Sequence, residues 1–268
     1  MSAIDPRHEQ FLVERVLGPF YEKRLASMQA MSLDRILKSK NPYLFRAKNI
    51  GTAGELTRNV TEAFLSSQEE TVFGNLLEDF AVYVSFLKDG GFKRKPSLPS
   101  IDLEFQRDGT YYIVGIKSGT AWGNADQIRI MKNNFAHARR QLRISENIAI
   151  PIAAVNGCMY GREPNPLKDQ AGGRGKDKGT EEADKVYYKY AGQDFWYFLS
   201  GDDHLYHDII VPLGQHAKGK DTQFREQYDR KLNELTEEFM SRFLTPEKDI
   251  DWSEMIDFVS RRAAQSAP

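Results

Sequence analysis

Cysteine is nearly absent from this chain: Cys158 is the single one in 268 residues. One thiol excludes an internal disulfide and any zinc site built on several thiolates, and it points to a reducing compartment. Long apolar runs are missing too, since no uninterrupted stretch reaches the roughly 20 residues that a bilayer-spanning helix needs. The first residues, with Asp5, Arg7, His8 and Glu9, lack the basic-then-apolar order of a signal peptide, so a soluble cytoplasmic protein with no membrane partner is expected. Neither sign of charge is in excess. With 37 Lys and Arg against 38 Asp and Glu, the formal net charge is −1, and any basic groove has to come from local clustering. No internal repeat is evident. What the chain does have is core-forming material, 40% hydrophobic and 12% aromatic, enough for one large folded domain.

Between residues 8 and 38 the apolar side chains, among them Phe11, Leu12, Val16, Leu25, Met28, Ile36 and Leu37, recur at helical spacing. Gly18-Pro19 divides this segment into two helices, and Asn41-Pro42 stops the second. Residues 43–50 read as an aromatic and basic connector, either packing Tyr43 and Phe45 on the core or touching nucleic acid. A helix over 53–65 follows. Ser66 and Glu69 then have capping-box spacing for the start of another helix, with Phe73, Leu76, Leu77, Phe80 and Val84 as its apolar stripe. Glu70, Gly74 and Glu78 share one face of that helix. A glycine there lets another backbone come close and bring Glu78 to it; the bland alternative is a solvated acidic face. Asp89-Gly90-Gly91 ends the helix, and Lys93-Arg94-Lys95 is a basic cluster that suits phosphate or a plain exposed loop.

Residues 101–105 and 111–119 read as two strands joined through Asp108-Gly109, a pair favoured in tight hairpin turns. Asp102 and Glu104, two apart, face the same side of the first strand, and Lys117 ends the second. Two carboxylates beside a lysine can hold a divalent cation and a phosphate together. Magnesium, which takes oxygen ligands and keeps several waters, needs only one or two carboxylates and a main-chain carbonyl such as that of Ile116. A glycine-rich loop through Trp122, Gly123 and Asn124 leads to a helix with Arg129, Lys132, Arg139, Arg140 and Arg143 and no acid between Gln127 and Arg143. That is an electrostatic footprint suited to a phosphate backbone. Asn124 either hydrogen-bonds DNA or caps this helix.

An apolar run at 148–155 reads as a buried strand. The order strand, strand, helix, strand predicts an α/β class, an α+β mixed sheet flanked by helices. Residues 161–184 combine glycine and proline with Arg162, Arg174, Lys176 and Lys178, which suits a loop that moulds itself to DNA or an ordinary mobile loop. An aromatic helix opens at Gly192 and ends at Gly201, a core segment starts at Ile209, an amphipathic helix covers 222–243, and a short helix covers 252–262. The expected organisation is one domain: an N-terminal helical region at 1–65, a core at 66–215 with the basic insertion, and C-terminal helices at 216–268. His204, His207 and His216 have no metal-ligand spacing.

The hairpin resembles the PD-(D/E)xK nucleases, in which an aspartate begins one strand and a (D/E)xK tripeptide lies on the next. Asp102 matches the aspartate and Lys117 the lysine, but the (D/E) position falls on Gly115, which carries no carboxylate. Glu104, Glu78 and Asp126 are the candidates to replace it. Glu104 is preferred because it shares a face with Asp102 without any assumption about packing, and Glu78 ranks second. Segments 41–49, 66–78, 101–105, 116–124 and 192–198, in that order, look like the type II restriction endonucleases, most nearly the PmeII-like group, over roughly Pro42 to Leu213. The resemblance implies a restriction-endonuclease-like core with added N- and C-terminal helices, and Mg2+-dependent, sequence-specific hydrolysis of double-stranded DNA by a homodimer. It implies catalytic roles for Asp102, Glu104, Lys117 and Glu78, and metal ligation by Asp102, Glu104, Glu78 and Ile116. It also implies DNA contacts from Trp122, Asn124, Arg129, Lys132, Arg162, Arg174, Lys176 and Lys178. Two other readings remain open: a non-catalytic, sequence-specific DNA-binding protein on the same fold, motivated by Gly115, and a structure-specific repair nuclease.

Overall fold

The computed structural model of the protein describes residues 4–93, 98–168 and 186–262. Asp5 caps α1 (Pro6–Phe11) by accepting from the Arg7 amide at 2.8 Å, and Pro6 lies in the first turn, where a missing N–H costs nothing. A π-helical turn (Leu12–Leu17) continues it into α2 (Gly18–Gln29). Gly18-Pro19 therefore does not interrupt the helical path as expected: Pro19 sits in the first turn of α2, where it is tolerated. The interruption falls at residues 30–32, where Ser32 caps α3 (Leu33–Ser39). The expected connector is also helical, because Asn41 caps and Pro42 opens α4 (Pro42–Ala47).

α5 (Ala53–Asp89) is a single helix of 37 residues, without the break expected at Ser66. The Ser67 hydroxyl donates to the Ala63 carbonyl at 3.1 Å, and Glu69 pairs with Arg24, so the glutamate of the apparent capping box is used elsewhere. The hairpin forms as expected from β1 (Leu103–Arg107) and β2 (Thr110–Lys117). Asp108 and Gly109 have φ of 47° and 71°, the positive pair that a type I′ turn requires. α6 (Ala125–Ser145) starts at a complete capping box, in which Asn124 accepts from the Gln127 amide and Gln127 accepts from the Asn124 amide, both at 3.0 Å. Met131, Phe135, Ala138 and Leu142 form its buried stripe against Ile113 and Ala154. Each large side chain so buried contributes about 1.5–3 kcal/mol.

β3 (Ile152–Cys158) begins later than the expected strand because Ile148 is still tied to the end of α6, its amide donating to the Leu142 carbonyl at 3.4 Å. β4 (Leu167–Lys168) and β5 (Tyr187–Ala191) follow. Then come α7 (Gln193–Ser200), α8 (Leu205–Asp208), α9 (Ile210–Phe243) and α10 (Trp252–Ser260). α9 is one helix of 34 residues that joins the two segments expected at 209–213 and 222–243. The strand order is β1-β2-β3-β5-β4, with β2, β3 and β5 parallel and the outer strands antiparallel to their neighbours. This is the mixed sheet flanked by helices that the element order predicted.

The chain divides into two compact units. One comprises Met1–Val16 and Gly74–Gln215 and contains the sheet; the other comprises Leu17–Phe73 and His216–Pro268. In the second, Ile36, Leu56, Val60 and Phe64 pack with Leu235, Phe239 and Phe243, and the hydroxyls of Thr57 and Thr236 lie 2.7 Å apart. Arg24 pairs with Glu69 and Asp221 and lies 3.5 Å from the centre of the Phe224 ring. Among the described residues no helix is long and apolar enough to cross a membrane.

Candidate active site

Lys117 and Cys158 end β2 and β3 side by side. The pairing runs on past them, with the Met159 amide donating to the Lys117 carbonyl at 2.9 Å and the Tyr160 amide to the Ser118 carbonyl at 3.0 Å. Asp102 lies just before β1, its amide donating to the Val114 carbonyl at 2.8 Å. Its Oδ2 accepts from the Ile116 amide at 2.7 Å, a donor beyond the end of the β1 ladder, and lies 3.9 Å from Lys117 Nζ. The Lys117 ammonium also donates to the Ile116 carbonyl at 2.9 Å and lies 5.6 Å from the centre of the Trp122 ring. That ring is oriented in turn: Trp122 Nε1 donates at 3.1 Å to Oδ1 of Asn156, a buried residue on β3 paired with Gly115. Gly115, Lys117, Trp122 and Asn156 share a cavity of about 190 Å3.

α5 approaches this sheet end at Gly74, where a Cβ would come within 2.9 Å of Ser118 Oγ. Glu78, one turn further along the same face, is thereby delivered to the group. Burial and the charge of Asp102 push the Glu78 carboxyl above its usual pKa, while Lys93 and Lys117 pull it down. Lys93 Nζ is 2.6 Å from Glu78 Oε1 and 3.5 Å from Asp79 Oδ1. Asp102, Glu78, Lys117 and Lys93 thus act on one another, although they come from a strand start, a helix, a strand end and a loop. The spacing of Glu70, Gly74 and Glu78 carried the signal for Glu78. In the sequence Lys93 stands only among basic neighbours, of which Arg94 and Lys95 lie outside the described residues.

Gly115 has no room for the acid that the (D/E) position ordinarily supplies. A Cβ there would lie 2.7 Å from the Ser100 carbonyl oxygen and 3.5 Å from Phe135 Cζ. Gly115→Ala is therefore expected to destabilise the protein by about 1–3 kcal/mol, through a forced backbone shift. Gly115→Glu should cost more. Urea unfolding tests both, and an unchanged midpoint for Gly115→Ala would mean that residue 100 yields freely.

The other two candidate acids each have a partner of their own. Glu104 is fully buried, and its Oε2 accepts from the Tyr111 hydroxyl at 2.7 Å. Asp126 is exposed and pairs with Arg129 at 2.9 Å.

One arginine of the basic helix does not face solvent. Arg139 is buried, its Nε donating to the Ile152 carbonyl at 3.1 Å and its Nη2 to the Val186 carbonyl at 2.8 Å, so it ties α6 to strand ends. Lys132 and Arg143 have interaction partners within the protein. Arg129 and Arg162 are exposed, Asn124 is engaged as the cap of α6, and Trp122 is half-buried. Arg174, Lys176 and Lys178 lie outside the described residues.

Among the described residues no group of three or more His, Cys, Asp or Glu side chains is gathered as a metal cluster, so a metal at the sheet end would rely on two carboxylates and main-chain oxygen. The sequence model of the family Type II restriction endonuclease EcoO109I matches residues 8–221, well over half of the chain and the whole of this group. A comparison with curated proteins gave no match. The finer likeness to the PmeII-like group rests on motif order alone.

Proposed function

The chain belongs to the family of the type II restriction endonuclease EcoO109I, and from that premise we propose that it hydrolyses double-stranded DNA at a specific sequence, with Mg2+, as a homodimer. The observation that carries this reading is Asp102 Oδ2, just before β1, standing 3.9 Å from Lys117 Nζ at the end of β2, with the ionisation of Glu78 linked to both. A homodimer suits a palindromic target, because a twofold protein matches a twofold site.

The donor set fits magnesium. Asp102, Glu78 and the Ile116 carbonyl are hard oxygen donors, and two carboxylates that repel each other in a half-buried site are relieved by a divalent cation. When bound, the ion supplies a polarised water and positive charge against the phosphate. The protein's own groups do the rest. Asp102 is aligned by the Ile116 amide. Lys117 directs its ammonium to the same edge, where it stabilises negative charge developing on a phosphate oxygen. Trp122, oriented by Asn156, gives that lysine an aromatic wall and keeps water from one side of it. We assign the second acid to Glu78 and leave Glu104 to the fold.

Purified protein incubated with sequenced plasmids and Mg2+ is expected to yield discrete fragments whose ends map to one short sequence. Asp102→Asn or chelation by EDTA should abolish cutting. Binding of one sequence with no cleavage in Mg2+ or Mn2+ across a diverse panel would replace this reading with the non-catalytic one. Cleavage confined to ends or flaps would replace it with the structure-specific one.

A further inference from the structure

One charged contact at the sheet end has no part in that mechanism: the ammonium of Lys93 on the carboxylate of Glu78, at 2.6 Å. Its main chain is held in place. Phe92, the residue before it, bridges to the edge of β1, with its amide donating to the Glu104 carbonyl and the Glu104 amide donating to the Phe92 carbonyl, both at 2.9 Å. Lys93 therefore starts from a fixed point beside β1 and reaches across to α5, where Asp79 Oδ1 lies 3.5 Å away. Burial lowers its basicity, but the hydrogen bond and charge of Glu78, with Asp79 and Asp102, outweigh that and hold the ammonium above its usual pKa.

The two lysines of the site are held differently. Lys117 is bound to the Ile116 carbonyl, lies close to Asp102 and borders the Trp122 ring. The Lys93 side chain is 48% exposed and bonds carboxylates of one helix, so its flexible stem can carry the charge out to water when a stronger cation takes its place. We propose that Lys93 is a resident counter-cation of the metal site: its ammonium neutralises Glu78 in the metal-free protein and competes with the divalent ion for that carboxylate. The proposal rests on the assignment of Glu78 and Asp102 to the metal site. Its physical content is that the ion concentration needed for loading is set partly by the displacement of a lysine.

The test is a titration of the full-length protein with Mn2+, without DNA, read by electron paramagnetic resonance or calorimetry. Lys93→Met keeps the apolar stem and removes the charge, and it is expected to tighten Mn2+ binding by about tenfold, because a full positive charge no longer competes within hydrogen-bond distance. Lys93→Gln should show the same gain, and Lys93→Arg, which keeps the charge, should show none. On a Glu78→Gln background, where binding is already weakened, Lys93→Met should add little, since the two residues act on one contact. Mn2+ affinity in Lys93→Met equal to or below that of the wild type, with Glu78→Gln still weakened, overturns the counter-cation role and leaves the metal site standing. Unchanged affinity in both Glu78→Gln and Asp102→Asn overturns the metal site itself, and the proposal with it.

Discussion

Lys117→Ala is expected to slow single-turnover cleavage of DNA by about a thousandfold while leaving duplex affinity within about threefold of wild type. The asymmetry follows from what this side chain touches. Its ammonium is held at the end of β2 by the Ile116 carbonyl at 2.9 Å and by Asp102 at 3.9 Å, so its charge stands at the site's reactive edge. A group so placed matters most when negative charge builds on phosphate, and a preorganised cation there costs no reorganisation. Under the proposed function it is one phosphate contact among several, so its loss should flatten the salt dependence of binding by no more than about one unit of slope. Asp102 keeps the Ile116 amide as a partner in the variant, which limits any structural collapse. Gel shift and rapid-quench cleavage on one oligonucleotide duplex measure both quantities. Cleavage retained within about threefold of wild type would remove Lys117 from the chemistry.

The second large effect is an exchange between two glutamates. Glu78→Gln should reduce cleavage by about a hundredfold to a thousandfold without lowering stability, whereas Glu104→Gln should lower stability by about 1–3 kcal/mol and spare the cleavage rate of the folded fraction. Folding raises the Glu78 pKa from the ordinary 4.5, so the folded chain binds that proton more tightly than the unfolded chain does. The stability linked to that proton is present at low pH and is lost as pH rises through the raised value. Glutamine, which cannot ionise, escapes that loss at neutral pH. Glu104 is held by the fold. It is fully buried, and its carboxylate accepts from the Tyr111 hydroxyl, so replacing the acceptor weakens a bond that water cannot replace. Urea unfolding and single-turnover rates on the two variants separate the cases. The reverse pattern, with Glu104→Gln stable and inactive and Glu78→Gln active, would return the second acid to β1.

Local rules were read correctly where their partners lie within a few residues. The Asp108-Gly109 turn and the cap at Asn124 each depend on one or two side chains and the backbone beside them. The same rules failed in helix interiors. Ser66 with Glu69 has the spacing of a cap, but Glu69 is drawn to Arg24, and the flanking apolar residues pack against another part of the chain, so α5 runs through. Gly18-Pro19 resembles a stop, yet a proline in a first turn loses no hydrogen bond. The basic helix was legible as charge but not as surface, because burial decides whether an arginine meets phosphate or, like Arg139, two carbonyl groups.

The proximity of Asp102 and Lys117 followed from sequence alone. Asp102 before β1 and Lys117 at the end of β2 are brought together by one tight turn, and two residues of positive φ determine its register. Which acid accompanies them did not follow. Shared strand face favoured Glu104, and strand alternation does relate it to Asp102. Under the proposed function the choice passes to Glu78, supported by the packing of α5 at Gly74, the Ser100 carbonyl that occupies the space beside Gly115, and the Tyr111 hydroxyl that holds Glu104. The contact at Gly74 joins segments that nothing in their local sequence links, so its presence is decided by how the elements pack and not by the spacing of residues along either of them.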